Sequence, residues 1–366
     1  MSDFGPLRSL KIVEMAAIGP VPLFGAIFAD LGAIVIRVDR QDHAGTVAVN
    51  AANRPTIYLN AKSAAGASCV LDLVANADIL VEGFRPGVME RLGLGPDTCL
   101  ATNPRLVYGR CTGWGQDGAL ASMPGHDINY IALAGVLGAI GPREMPLPPL
   151  NLVADYGGGT MLLAVGVLAA LFEARRSGRG QVVDAAMTDG AGLLAAAIYE
   201  QLNRDRWENQ RASNRVDGAA PYYRCYRCAD GKWIAVGAME MKFREALSVV
   251  VGLPELAEDS SSNRERWPDL AEQMVKIFAT ATRDEWTSRM DGVQCCATPV
   301  LDLVEAPLHP HNRERRSFTH DGMGWVPAPA PRFSVTPAQR RQARPVDEVL
   351  REFGFSAEEF RRRSAG

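Results

Sequence analysis

Apolar residues in the first third of the chain fall into short runs that alternate with longer segments of mixed character. The runs read LKIVEM, AIVIRVD and ADILVEGF, and apolar residues recur every three or four positions over 24–31 and 64–75. Short runs rich in Val and Ile predict buried strands, whereas the second pattern predicts helices. This alternation predicts an α/β fold with a parallel sheet wrapped by helices, in which ligands bind at the strand ends.

The pattern changes in the second half of the chain. A long buried helix is predicted over 160–174, and a turn, a strand and another helix are predicted in RSGRGQVVDAAMTDGAGLLAAA. The segment APYYRCYRCADGKWIAVGAMEMKFREAL predicts a β-hairpin and a helix, followed by a helix over 267–282 and a short element over 298–304. The Pro- and Arg-rich segment 327–345 predicts an extended crossing.

These patterns predict a division into domains. We expect a large domain over 1–190, a linker helix over 191–217, a smaller α+β domain over 218–310, and an extended return segment with a C-terminal helix over 311–366 that rejoins the large domain.

Composition narrows the class of ligand. The 366 residues include 39 basic and 42 acidic ones, for a formal charge of -3. This balance gives no electrostatic signature of a protein that binds nucleic acid or an anionic membrane, so a small-molecule ligand is expected. The N-terminus lacks the pattern of a secretory signal, and no uninterrupted apolar run reaches the roughly 18 residues of a spanning helix. Seven scattered cysteines are typical of a reducing compartment, so we expect a soluble, cytoplasmic protein.

Two spacings resemble metal or redox sites. Cys225 and Cys228 form a C-x-x-C that could serve as a redox pair or as half of a zinc site. The only other close cysteine pair, at 295–296, lacks that spacing, which favours strand residues beside a hairpin turn at 230–231. The HPH sequence at 309–311 is interrupted by proline in a polar segment, which does not resemble a metal pair. No metal site is predicted.

The strongest candidates for chemistry are a histidine and a carboxylate. His126 begins an apolar pattern over 127–137 with a helical period, which places it in the first turn of a helix. Asp155 interrupts an apolar segment and precedes three glycines, 157–159, which allow a ligand or another helix to approach closely. We predict that both side chains handle protons in one cavity, with backbone donors at the helix start stabilising an enolate oxygen. The alternative is a helix cap and a hydrogen-bonded core carboxylate.

Basic residues follow several of the predicted strands. No G-x-G-x-x-G follows the first strand, so a dinucleotide cradle is not supported. Instead, Arg37, Lys62, Arg85 and Arg91 lie at the ends or turns of successive α/β units. They could bind the phosphates of a polyanionic nucleotide such as coenzyme A (CoA). The alternative is that they are solvated surface charges.

Glu240 is the third candidate. It follows the predicted strand WIAVGAM where a helix begins, so its carboxylate could point into a cleft. Stabilisation of the helix N-terminus is the alternative.

Several runs along nearly the whole chain resemble the family III CoA-transferase (CaiB/BaiF) fold family, and within it the α-methylacyl-CoA racemases. They are GPLRSLKIVEMAAIGPVP, FADLGAIVIRVDR, VEGFRPGVMERLGLGPD, GRCTGWGQDG, PGHDINYIALAGVL, PPLNLVADYGGG, SGRGQVVDAAMTDG, YRCADGKWIAVGAMEMKF and GMGWVPAPAPRFS. GHDINY and the later DYGGG are the most specific of them.

The resemblance implies a Rossmann-like large domain, a small domain and two interlocked chains in a homodimer. It implies His126 and Asp155 as acid/base residues on opposite faces of the substrate α-carbon, with Glu240 of the partner chain positioning His126. The implied substrate is an acyl-CoA, with no metal and no cofactor beyond its CoA moiety. The implied CoA contacts are Arg37, Leu59, Asn60, Ala61, Lys62, Gly83, Phe84, Arg85, Arg91, Gly125, Asp127, Ile128, Asn129 and Tyr130. One departure is Asn60-Ala61-Lys62, where relatives read Asp-Leu-Lys, although the lysine is kept.

The implied activity is interconversion of (R)- and (S)-2-methylacyl-CoA through an enolate. The main alternative is CoA transfer between an acyl-CoA and a carboxylic acid, with Asp155 attacking the thioester to form an acyl anhydride. A binding protein without activity is a third possibility. The transferase needs no histidine partner, so the presence of both His126 and Glu240 favours the racemase.

Overall fold

A computed structural model describes residues 4–43, 53–340 and 342–364. The strands are β1 Lys11–Met15, β2 Ile34–Asp39, β3 Thr56–Tyr58, β4 Ile79–Glu82, β5 Val107–Thr112, β6 Gln181–Ala186, β7 Tyr223–Arg227, β8 Trp233–Gly237, β9 Ala297–Val300, β10 Phe318–His320 and β11 Trp325–Pro327.

The α-helices are α1 Pro20–Asp30, α2 Ala64–Ala75, α3 Val88–Arg91, α4 Pro96–Thr102, α5 Asp127–Leu133, α6 Val136–Ala139, α7 Leu162–Ser177, α8 Met187–Leu194, α9 Ala196–Asn203, α10 Met241–Val251, α11 Trp267–Phe278, α12 Arg283–Met290, α13 Pro310–Arg315, α14 Val346–Glu352 and α15 Ala357–Ser364. A π-helix spans Leu152–Met161, and short 3-10 helices span Gln41–His43, Pro254–Ala257, Asp259–Ser262, Arg264–Arg266 and Ala306–Leu308.

The main sheet has six parallel strands in the order β3-β2-β1-β4-β5-β6. The predicted parallel sheet is therefore confirmed. The chain moves outward from β1 to β3 and then returns to place β4 on the other side of β1. Ligands of such sheets bind beyond the carboxyl ends of the strands at this point of reversal.

The observed helices follow the sequence patterns with several changes of bounds: the helix predicted over 24–31 spans Pro20–Asp30, and the one predicted over 267–282 ends at Phe278. α2 has the predicted bounds, and the Ser63 hydroxyl caps it by accepting the Gly66 N–H at 3.0 Å. The predicted helix over 127–137 ends at Leu133, because Gly135 has a φ of +76° that interrupts the helical backbone. The predicted helix from Thr160 begins at Leu162 and continues directly from the π-helix.

The core of the main sheet explains the short apolar runs. All residues of β2, β4 and β5 are buried. Apolar side chains of the sheet pack with those of α2 and with Val349, Leu350 and Phe353 from the C-terminal segment. The burial of several large aliphatic side chains, each worth about 1.5 to 3 kcal/mol, stabilises this layer.

The chain divides into two compact units. The first comprises Met1–Val136, Pro149–Ala196 and Ala328–Gly366, and the second Leu137–Pro148 and Ala197–Pro327. The second unit contains the antiparallel sheet β7-β8-β9 and the hairpin β10-β11. In its core the Tyr226 ring stacks on the Phe278 ring, with 5.0 Å between the ring centroids. The domain boundaries given above stay a prediction, because a compact unit is not by itself shown to fold independently.

The C-x-x-C pair lies in the predicted hairpin. Cys225 is on β7, and Cys228 lies in the turn, where its N–H donates to the Lys232 carbonyl at 2.8 Å. Gly231 supplies the positive φ of this turn, +80°. All seven cysteines are free, and the described residues contain no group of three or more His, Cys, Asp or Glu side chains arranged to hold a metal ion.

One helical stretch is longer than the apolar runs that the sequence predicted. The π-helix and α7 together form 26 helical residues, Leu152–Ser177, which are long and apolar enough to cross a membrane by length and composition. About 44% of the most apolar window is buried inside the fold. It packs against β5 and β6, as a core helix of an α/β protein does.

Candidate active site

A cavity of about 580 Å³ lies at the carboxyl ends of β1, β4 and β5. This is the point of reversal in the sheet, and it lies at strand ends, where the sequence predicted that ligands bind. It is lined by Ala17, Ile18, Gly19, Pro20, Pro22, Gly83, Phe84, Arg85, Pro86, Cys111, Thr112, Gly113, Trp114, Ala121, Met123, Pro124, Gly125, His126, Tyr130, Asn151, Asp155, Tyr156 and Met187. His126 and Asp155 therefore share one cavity, as their sequence context predicted.

His126 occupies the N-cap position of α5. Its backbone is extended, with φ −133° and ψ 172°, and the helix begins at Asp127. The expectation that His126 lies in the first turn was thus wrong by one position, because its N–H is turned back to the Asn129 side-chain oxygen at 3.1 Å. Its side chain is exposed at the cavity wall.

The chain before His126 is held by an aromatic pair. The Tyr130 hydroxyl donates to the Gly125 carbonyl at 2.5 Å, and the Trp114 ring meets the Tyr130 ring edge-on at 4.8 Å. A Cβ atom at Gly125 would lie 2.7 Å from the Tyr130 ring, so only glycine fits here without a shift. These contacts fix the direction in which the chain enters α5.

Asp155 lies in the π-helix, a rare form that is often found at functional sites. Its Oδ2 accepts a hydrogen bond from the Asn151 amide at 3.1 Å. Burial raises the pKa of Asp155, the Asn151 hydrogen bond and the charge of His126 act in the opposite direction, and the charge of Asp127 raises the pKa further. The net direction is upward, which favours a carboxyl group that can carry a proton.

The glycines after Asp155 allow the close approach that the sequence predicted. Gly158 packs against Gly190 of α8, where an added Cβ at Gly190 would lie 2.2 Å from the Gly158 carbonyl oxygen. The Thr160 hydroxyl donates to the Pro20 carbonyl at 2.9 Å. The π-helix is therefore held against both α8 and the start of α1.

The four basic candidates occupy different environments. Arg85 is exposed and lines the cavity. Arg37 is buried and forms an ion pair with Asp39 at 2.8 Å, whereas Lys62 and Arg91 are exposed. In the part of the chain that the structure describes, Arg37, Lys62 and Arg91 do not line the cavity.

The other predicted CoA contacts are similarly divided. Gly83, Phe84, Gly125 and Tyr130 line the cavity. Leu59 is buried, and the Asn60 side chain accepts the Lys62 N–H at 3.2 Å in a turn that includes Ala61. Asp127 is buried, whereas Ile128 and Asn129 are exposed on α5. Their roles in CoA binding stay a prediction.

Glu240 is the N-cap residue of α10 in the second unit. Its side chain is exposed, and its carbonyl accepts the Arg244 N–H at 3.1 Å. The strand-to-helix position predicted for it is confirmed. Its action on His126 of a partner chain stays a prediction.

Sequence reasoning missed Glu82, which supports one wall of the cavity. Its carboxylate is fully buried and accepts the Phe84 N–H at 2.7 Å and the Arg110 Nε–H at 2.8 Å. Burial raises the pKa of Glu82 to about 7, against the effects of the Phe84 N–H and Arg110. A charged residue ending the buried run ILVE was the available signal.

The geometry can support proton transfer on a bound small molecule. One cavity presents an exposed imidazole and a half-buried carboxyl group whose pKa is raised by burial, and both are groups that can act as a general acid or base. The exposed guanidinium of Arg85 at the rim supplies a positive charge for an anionic part of the ligand.

Comparison with known proteins shows the family to which the chain belongs. The sequence matches CoA-transferase family III over residues 7–348. An alpha-methylacyl-CoA racemase from Mus musculus is 43% identical, and one from Homo sapiens 40% identical, each over 96% of this chain and 94% of the relative. A crystal structure of a CaiB/BaiF family protein from Brucella suis shares the fold, with a TM-score of 0.78 at 24% identity over 94% of this chain and 96% of that one. The chain belongs to CoA-transferase family III.

Proposed function

We propose that this protein is a racemase that interconverts (R)- and (S)-2-methylacyl-CoA thioesters. The observation that carries this conclusion is that His126 and Asp155 line the same cavity. Relatives named alpha-methylacyl-CoA racemase, at 40 and 43% identity over 96% of the chain, support the same reaction.

The reaction requires a proton to leave one face of the α-carbon and another to arrive on the opposite face. One group takes the α-proton, and the C–H electron pair moves into the C–C bond as the thioester oxygen becomes an enolate. The other group then donates its proton to the α-carbon from the opposite face. One group must be neutral or anionic as a base while the other carries a proton, so the pair titrates together.

CoA transfer is the second candidate. The Asp155 carboxylate would attack the thioester carbonyl, form an acyl anhydride and release the CoA thiolate, which would attack the Asp155 carbonyl, expel the donor acid and leave an Asp155–CoA thioester. An acceptor carboxylate would attack this thioester, forming a second anhydride and releasing the thiolate, which would then attack the acceptor carbonyl to give the new acyl-CoA and free Asp155. The name of the family supports this chemistry at the level of the family. The imidazole of His126 on the same cavity favours the racemase, because nucleophilic attack by a carboxylate does not need it.

The proposed function predicts exchange of the α-proton without added cofactor or metal. Purified protein incubated with one enantiomer of a 2-methylacyl-CoA in deuterated water should incorporate deuterium at the α-carbon and lose optical purity, because the site supplies its own acid and base. Mass spectrometry measures the first signal and chiral analysis of the acyl group the second. Loss of both signals with a chelator and their return with a divalent ion would contradict the prediction.

The transferase is distinguished by adding an acceptor. If the acyl-CoA is consumed only when a carboxylic acid is present, and a new CoA thioester of that acid appears without α-exchange, the protein is a transferase. α-Exchange at an unchanged total acyl-CoA concentration supports the racemase.

We also propose that the basic candidates hold the CoA phosphates, with Arg85 making the contact nearest the cavity. Arg85→Ala should raise KM for acyl-CoA about tenfold or more, because a hydrogen bond to a charged group contributes about 1.5 to 3 kcal/mol. kcat should change by less than about threefold, because a phosphate contact far from the reacting atoms stabilises the bound substrate and the transition state equally. Steady-state kinetics measures both, with Arg105→Ala, an exposed arginine before β5, as control. Equal KM values for the two variants would make Arg85 a surface charge.

A homodimer is part of the proposal, and an exposed apolar stripe supports it. Met161, Val165, Leu168 and Phe172 lie at spacings of four, three and four along the helical stretch, and Phe172 is 75% exposed. This spacing places the four side chains on one face, as at a helix interface. A stripe of this kind on a folded unit indicates that another protein surface covers it.

The interlocked arrangement implied by the family predicts that the dimer does not dissociate without unfolding. Dilution to nanomolar concentration should leave the mass of a dimer in light scattering. Phe172→Glu should instead reduce the yield of folded protein or produce aggregates, whereas the exposed control Arg175→Glu should not. A stable, active monomer at low concentration would rule the arrangement out.

The cytoplasm is the proposed location. The seven free cysteines fit a reducing compartment, and five of them are buried thiols: Cys69, Cys99, Cys111, Cys228 and Cys295.

A further inference from the structure

Asp127 makes contacts that link the two acid/base residues. Its side chain is 4% exposed, and its Oδ2 accepts the backbone N–H of Ala154 at 2.7 Å and that of Asp155 at 2.8 Å. The same residue is the first of α5 and follows His126 directly. The side chain of Asp127 therefore binds the backbone of Asp155, while its own backbone is bonded directly to His126.

The contact is needed because of how the π-helix begins. The first N–H groups of a helix have no acceptor within it, and buried N–H groups without partners are costly. The N-cap residue of this π-helix, Asn151, makes no side-chain capping bond, since its amide donates to Asp155 instead. Asp127 supplies the missing acceptor from a different helix.

The charge of Asp127 is not fully compensated by hydrogen bonds. Its Oδ1 is buried and has no hydrogen-bond partner among the described residues. The positive ends of α5 and of the π-helix stabilise a carboxylate placed between them. The remaining negative charge acts on the nearby carboxyl group of Asp155, where it opposes ionisation.

We propose that Asp127 is a positioning residue that holds His126 and Asp155 in register across the substrate α-carbon. This rests on the proposed racemase function. It differs from a direct role in CoA binding, because a buried carboxylate would repel phosphate and the two hydrogen bonds that its Oδ2 accepts come from the backbone of the π-helix.

Two substitutions separate position from charge. In Asp127→Asn the amide oxygen can still accept both N–H groups, but the charge is gone. In Asp127→Ala both the acceptor and the charge are lost. Asp117→Asn, an exposed aspartate in the loop before α5, is the matched control.

Asp127→Ala should lower kcat on the order of 100-fold for both enantiomers with little change in KM, because the two groups lose their mutual alignment. Asp127→Asn should retain most of kcat, and the acid limb of its kcat/KM profile should move to lower pH, because a negative charge near Asp155 has been removed. Asp117→Asn should leave the profile in place.

The outcomes distinguish this inference from the proposed function. If the wild type shows no α-exchange, the racemase proposal fails whatever the variants do. If the wild type is active and the profile of Asp127→Asn coincides with it, or if kcat of Asp127→Ala equals that of the control, Asp127 does not position the pair. Should Asp127→Ala fail to fold, the pH profile of Asp127→Asn still decides the question.

Discussion

His126→Ala and Asp155→Ala are each expected to slow racemisation by about 100- to 10,000-fold, the usual cost of losing one general acid or base. The reason is that each group serves one face of the α-carbon. Both variants keep one of the two groups that line the cavity, so each can still remove the proton that this group reaches.

The residual reaction should identify which group serves which face. In deuterated water, His126→Ala should exchange the α-proton of one enantiomer without inverting it, and Asp155→Ala should exchange that of the other. Incubating each variant separately with the pure (R) and (S) thioesters and following deuterium content by mass spectrometry gives four rates. The two variants should show opposite preferences.

A transferase would behave differently. Asp155→Ala would abolish turnover through loss of the nucleophile, His126→Ala would have a mild effect, and no opposite exchange would occur. His311→Ala, a change at an exposed histidine outside the cavity lining, controls for general effects of removing an imidazole. An effect of His126→Ala on racemisation below about tenfold would be too small for an essential base.

The parallel sheet and the two candidate acid/base residues in the cavity could be predicted from the sequence for a physical reason. β2, β4 and β5 are buried along their whole length, so they appear as unbroken apolar runs. In contrast, His126 and Asp155 stood out because a polar residue in an apolar context needs an explanation. Local pattern carried both signals.

The contacts that organise the site were not visible in the sequence. The π-helix differs from an α-helix by one residue per hydrogen-bonded turn, which no apolar period in LVADYGGGTM reveals. The bonds from Asp127 to the backbone at 154–155 join segments that are distant in sequence. Arg37 ends up buried against Asp39, because its strand is covered on both faces. Such facts depend on tertiary packing.

Gly190→Ala is the second substitution with a large expected effect, because Gly190 packs directly against the backbone of the π-helix at Gly158. An added Cβ would lie 2.2 Å from the Gly158 carbonyl oxygen and 2.5 Å from its Cα, and backbone atoms cannot turn aside as a flexible side chain can. The π-helix and α8 must therefore separate. We expect the free energy of unfolding to fall by about 1 to 3 kcal/mol, the usual cost of overpacking.

Gly192→Ala is the matched control on the same helix. Nothing lies within 4 Å of a Cβ at Gly192, so the substitution should be neutral or should stabilise the protein by about 0.5 to 1 kcal/mol, the difference between Gly and Ala inside a helix. Urea titration of both variants, followed by circular dichroism, compares the two free energies.

The same displacement should reach the chemistry. Gly158 lies three residues after Asp155 on the π-helix, so a shift that relieves the clash at Gly190 moves the carboxyl group relative to His126. A misplacement of about 1 Å can cost on the order of 100-fold in rate, and kcat of folded Gly190→Ala should fall by that order while Gly192→Ala keeps wild-type kcat. If Gly190→Ala is as stable and as active as Gly192→Ala, the close packing of the π-helix on α8 does not hold Asp155 in place.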